Sequence, residues 1–141
     1  MHRLINITTY LQLDSQLPKS LTIRLAQHAA LLLMICPVMH NGLETTGFQV
    51  YFKTEFNLTM LKRIGCMVYY RLEKEQRAKF GAHGALAVLV GLNGFKFPDF
   101  TYQLCIPKSR QTTFRRDLLF AEEHMPYREG RAMLTTMNQD H

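Results

Sequence analysis

Three kinds of residue in this chain could carry chemistry: carboxylates, histidines near cysteines, and clustered cations. The carboxylates are Asp14, Glu44, Glu55, Glu73, Glu75, Asp99, Asp117, Glu122, Glu123, Glu129 and Asp140. A site that holds divalent cations needs several of them converging on one point. Glu73 and Glu75 stand among Lys74 and Arg77, which reads as a solvated charged loop rather than a metal pair. Asp117 follows Arg116 in a segment that reads as strand. Neighbours on a strand point to opposite faces, so Asp117 is expected to serve a structural partner rather than catalysis. His28 falls on the apolar face of a helix with Cys36 eight residues on. No third group to orient a nucleophile is visible, and a core histidine is the simpler reading. His40, His83 and His124 show no ligand rhythm. Cys36, Cys66 and Cys105 are odd in number, widely spaced and set in apolar surroundings, which implies free thiols in a reducing compartment and no zinc site.

The cations are the richer signal. Lys62, Arg63, Arg71, Lys74, Arg77 and Lys79 crowd one stretch against only Glu73 and Glu75. Lys108, Arg110, Arg115 and Arg116 form a second group. Tyr69, Tyr70 and Tyr102 lie close enough in sequence to supply stacking surfaces. Cations that neutralise phosphates beside aromatics that stack on bases are how small sheets bind nucleic acid, weakly and without sequence preference. The interface expected from sequence is therefore Lys62, Arg63, Lys74, Arg77, Lys79, Lys108, Arg110, Arg115 and Arg116. The whole chain agrees in sign: 141 residues carry 17 Lys and Arg against 11 Asp and Glu, a net charge of +6, with pI near 9.4. That balance fits a polyanionic partner.

The elements that must position these residues follow from periodicity. A hydrophobic share of 47% is that of a globular chain. Leu4, Ile7 and Leu11 predict an amphipathic helix, interrupted at Asp14-Ser15-Gln16. Leu17-Pro18-Lys19-Ser20 opens a second helix, with Leu21, Leu25, His28, Ala29 and Leu32 on one face, and Pro37 ends it. His40-Asn41-Gly42 reads as a loop, and Thr45 to Phe52 as either a short helix or an extended piece. From Ile64 the period becomes two. Ile64 to Leu72, Ala85 to Gly91, Phe100 to Ile106 and Thr112 to Phe120 predict strands, with Asn93-Gly94 and Lys108-Ser109-Arg110 as connections. Phe95, Phe97 and Phe100 fit an exposed partner-binding loop or, more commonly, a loop that folds its aromatics over the core. The tail from Pro126 is expected to be loosely ordered. The N-terminus lacks the apolar core of a signal peptide, and the apolar run from Ala29 to Met39 is too short to span a membrane.

The order of these segments resembles the integrase region of copia-type retrotransposon polyproteins. Leu17-Pro18-Lys19-Ser20 leading to Ala26, His28-Ala29-Ala30 and Pro37 is similar to that family's helix. Leu58-Thr59-Met60-Leu61-Lys62-Arg63-Ile64-Gly65-Cys66 is similar to its "leucine-serine-histidine-leucine-arginine-valine-phenylalanine-glycine-cysteine" segment. Leu89-Val90-Gly91, Thr101 to Pro107 and Arg115 to Glu122 follow in the family's order. The resemblance runs from about Leu11 to Glu123. It departs from the family at Asn6, Thr46, Tyr51 and Lys53-Thr54-Glu55-Phe56, where the family has other residues.

The resemblance implies an α+β chain in which residues 1–61 are helices from the end of a ribonuclease H-like integrase core, 62–123 an SH3-like β-barrel and 124–141 a tail. It also implies a non-catalytic fragment, because the family's two Asp and one Glu align outside this chain. The expectations are then no enzyme activity, no cofactor, no metal and no small-molecule substrate. The expected partner is DNA, bound weakly, with self-association through the apolar helix as a second option, no membrane, and an intracellular location. The competing reading is a protein-interaction module that uses the barrel groove or the apolar helix.

Overall fold

The computed structural model describes residues 2–71, 84–93 and 100–139. The protein is α+β: helices at both ends, a small hairpin, and a five-stranded antiparallel sheet.

Helix α1 (His2–Ser15) ends where Gln16 turns left-handed at φ 58° and its N–H returns to the Gln12 carbonyl. A left-handed residue just past a helix caps its last carbonyls in this way. The Ser15 hydroxyl donates to Leu11 O at 2.6 Å and accepts from Leu17 N at 3.3 Å, which satisfies a fully buried polar group. A 3-10 turn (Lys19–Leu21) follows Pro18 and feeds α2 (Thr22–Ile35). Cys36 is already extended, as a residue before proline prefers.

Pro37 opens a feature that periodicity does not predict. β1 (Pro37–His40) and β2 (Leu43–Thr46) form a hairpin across Asn41-Gly42, whose φ values of 53° and 79° are those of a type I′ turn. The segment left open between helix and strand resolves into the end of β2 and helix α3 (Gly47–Phe52), with Thr46 Oγ1 accepting from Gln49 N at 3.1 Å as its cap. Phe48 is fully buried, with the Phe52, Phe56 and Phe100 rings around it.

The sheet strands are β3 (Met67–Arg71), β4 (Gly84–Asn93), β5 (Thr101–Ile106), β6 (Gln111–Arg115) and β7 (Leu118–Ala121), in spatial order β6-β5-β4-β3-β7. Four strands meander, and the fifth returns to pair with the first. Where one strand was expected from Thr112 to Phe120, the chain bends at Arg116-Asp117 and makes two, so Asp117 lies between strands rather than within one. No ladder joins β6 to β7 among the described residues, so the sheet is open. It is nevertheless strongly curled. The Tyr102 ring on β5 meets Phe120 on β7 at 5.0 Å, and Arg115 on β6 lies 5.6 Å from the Tyr70 ring on β3.

β4 is buried on both faces, which explains its unbroken apolar sequence. Leu89 and Leu92 pair with Leu104 and Tyr102 on the concave face. Val88 and Gly91 pair with Cys105 and Gln103 on the convex face, with a bulge at Val90 between Leu89 and Gly91. Helix α2 packs on that convex face. The helices and the sheet thus contribute to one apolar cluster, from Leu17, Leu25 and Phe48 to Val90 and Leu104. The tail differs from expectation as well. Met125 and Pro126 are buried at the start of α4 (Pro126–Glu129), and Met137 is buried on α5 (Arg131–Gln139).

Candidate nucleic-acid interface

Among the described residues, the cations singled out by sequence stand in different surroundings. Arg63, at the approach to β3, is held by Asp14 at the end of α1: its Nη2 and Nε donate to the two carboxylate oxygens at 2.9 and 3.2 Å. Arg128 on α4 donates to the same carboxylate at 3.0 Å. The Arg63 hydrogen bond, with the charges of Arg63 and Arg128, holds the Asp14 carboxyl below its ordinary range against the opposing effect of burial. Arg63 is therefore a tie between α1, β3 and α4. Lys62 faces Glu122 at 4.0 Å and lies 5.5 Å from the Phe120 ring. Both cations are largely committed to intramolecular partners.

The second group divides along β6. Lys108 and Arg110 occupy the tight turn between β5 and β6 and are exposed. Arg115 and Arg116 lie at the other end of β6, roughly four residues or ~13 Å away along a strand. Arg115 is folded inward over Tyr70 and bonds Thr113 Oγ1 and the Phe114 carbonyl. Arg116 donates to the Phe100 carbonyl at 3.2 Å. Lys74, Arg77 and Lys79 lie outside the described residues, as do Phe95 and Phe97.

The three tyrosines also separate. Tyr70 and Tyr102 are core residues, 3% and 8% exposed, and Tyr102 Oη donates to Met60 O at 2.6 Å. Burial raises both phenol pKa values. Tyr69 alone presents an open ring, at 43% exposure. It points to the convex face and packs over Gly84, where a side chain would collide with the ring. Its cross-strand partner is Leu119 on β7, 71% exposed, and Arg71 follows two residues on, on the same face. Tyr69, Arg71, Asp117, Leu118 and Leu119 line one shallow groove. No ion pair to Arg71, Lys108 or Arg110 occurs among the described residues. Arg71 is the residue that counting charges undervalued. Its period-two spacing from Tyr69 was the available signal.

The thiols agree with the expectation of free cysteines. Cys66 and Cys105 are buried, and burial pushes the Cys66 thiol up to about 12. Among the described residues no group of His, Cys, Asp or Glu is placed to hold a metal ion. No helix among them is long and apolar enough to cross a membrane. No family model, curated protein or solved structure matches the chain.

Proposed function

We propose that this chain is a non-catalytic nucleic-acid-binding piece related to copia-type integrases, whose curled open sheet derives from an SH3-like barrel and is covered on one side by helices from the end of the core. The strand order supports the architectural part of this reading: a four-strand meander, a sharp bend, and a fifth strand returned to the first. The observation that carries the functional part is the Tyr69–Arg71 pair on the uncovered convex face of β3. There an open aromatic ring stands beside a cation with no intramolecular ion pair among the described residues. Stacking on such a ring contributes roughly 1–3 kcal/mol per base and is indifferent to sequence. The exposed Lys108 and Arg110 add charge to the same molecule and require no neutralisation to be undone before they meet a phosphate.

The test is a salt titration of single-stranded DNA binding. Tyr69→Ala should remove most of the affinity with little change in salt dependence, and Arg71→Glu should remove it and flatten the salt dependence. Binding that both variants retain in full would reject this interface.

A second reading has its own observation. Ile5, Tyr10 and Leu13 on α1 and Ile23 on α2 are exposed, more apolar surface than two short helices need to leave bare. They favour self-association, which sedimentation over a concentration series would reveal as a dimer lost in Ile23→Glu.

A further inference from the structure

On the convex face, away from the Tyr69 groove, α2 leaves a cavity of about 280 Å³ against β4, β5 and β6. That lies near the bottom of the range for ligand pockets, roughly 300 Å³ upward. Its polar lining among the described residues is Arg24, Gln27, His28, Asn93 and Gln103, with no carboxylate among them. Arg24, Gln27 and His28 share one helix face by their i, i+3, i+4 spacing.

Arg24, Gln103 and His28 are oriented before any ligand arrives. The Gln103 carbonyl, in the amide orientation that satisfies both partners, accepts from Arg24 Nη1 at 2.9 Å and Nε at 3.2 Å. A guanidinium has five N–H groups, so this fork leaves donors to spare. Gln103 is buried, so its grip on Arg24 is not loosened by water. His28 Nδ1 accepts from the Leu92 N–H at 3.2 Å, which places the ring's proton on Nε2 and makes that nitrogen a donor. The amides of Asn93 and Gln27 complete the lining.

We propose that this cavity is a phosphate-class oxyanion site in which Arg24 supplies the charge and His28 Nε2 and Asn93 supply neutral donors. One cation with several neutral donors, and no carboxylate among the described lining residues, suits an oxyanion and disfavours a metal or an amine. The same chemistry fits free phosphate or a backbone phosphate of a nucleic-acid strand. The inference does not rest on the Tyr69 interface.

The test is an inorganic phosphate titration of the full chain at constant ionic strength, followed by ¹H–¹⁵N NMR at the Leu92 amide and Arg24 Nε–H, with chloride as the matched control. Saturable phosphate shifts absent with chloride are expected. Arg24→Gln should weaken binding by about tenfold or more, the scale of a charge-assisted hydrogen bond. Because Arg24 also satisfies Gln103, the paired Arg24→Met, Gln103→Met variant guards against misfolding, since replacing both partners of a buried hydrogen bond by apolar groups is near neutral. It should keep the wild-type spectrum elsewhere and lose the phosphate shifts. A short single-stranded oligonucleotide then separates the sources. If it moves the same signals and phosphate competes, the ligand is backbone phosphate; if it leaves them unmoved, the site takes the free ion. Phosphate shifts that match chloride, or that persist in the paired variant, overturn the proposal, and neither result bears on binding at Tyr69.

Discussion

His28 is a titratable residue held almost entirely away from water. It is 4% exposed, and desolvation lowers its pKa from 6.5 to about 4. The folded state therefore favours the neutral ring, while the unfolded chain takes up a proton near pH 6.5. Stability should be full above pH 6.5, fall as pH drops toward 4, and level off below, with a loss of at most about 3 kcal/mol from this residue. Denaturant unfolding at a series of pH values reads that slope, and His28→Gln should flatten it. Asp14 acts in the same direction but lower on the scale. Its depressed carboxyl contributes stability that is lost only as pH falls through its folded value, below the ordinary 3.8. The thiols give a second residue-scale test. Half-buried Cys36 should react with a maleimide in the native protein, whereas Cys66 and Cys105 should react only on unfolding. Fast native labelling at Cys66 would contradict the packing described.

At the scale of elements, what could be read in advance was what local pattern controls. The ends of α1 and α2 follow from Gln16 and Pro37, and β4 follows from its unbroken apolar sequence. The β1–β2 hairpin was also written locally, in Asn41-Gly42, but its strands are exposed and lack the alternation that would have drawn attention to it. The bend at Arg116-Asp117 was not legible, because neither residue breaks a strand by itself. The curl that brings Arg115 over Tyr70 forces the turn, and that packing is tertiary. The tail's order is tertiary too: Met133 and Met137 are one helical turn apart, but only packing against the body selects a helix there. Met137→Ala should cost about 2–5 kcal/mol, the usual loss for a fully buried methionine, read as a shift in the denaturation midpoint. The candidate interface was half legible. Charge could be counted, but not that Arg63 belongs to Asp14, 49 positions earlier in the chain. Asp14→Asn should lower the melting temperature modestly, and high salt should erase most of the difference, because the three groups are partly exposed.

For the molecule as a whole, the proposed nucleic-acid binding would be governed by net charge and exposed cations. Lys108→Glu with Arg110→Glu should weaken single-stranded DNA binding and reduce the logarithmic salt slope by about 0.7 for each phosphate that is no longer neutralised. Lys62→Glu should disturb binding less, because its cation already faces Glu122. The shared core has a further consequence during synthesis. The His28 ring meets the Leu92 amide across 64 positions, so the side of α2 that packs on the sheet has no covering surface until β4 has left the ribosome. At roughly 5–20 residues per second, that leaves a nascent helix uncovered for several seconds. A ribosome-associated chaperone should dwell on α2 as it emerges and let go once the central strand follows.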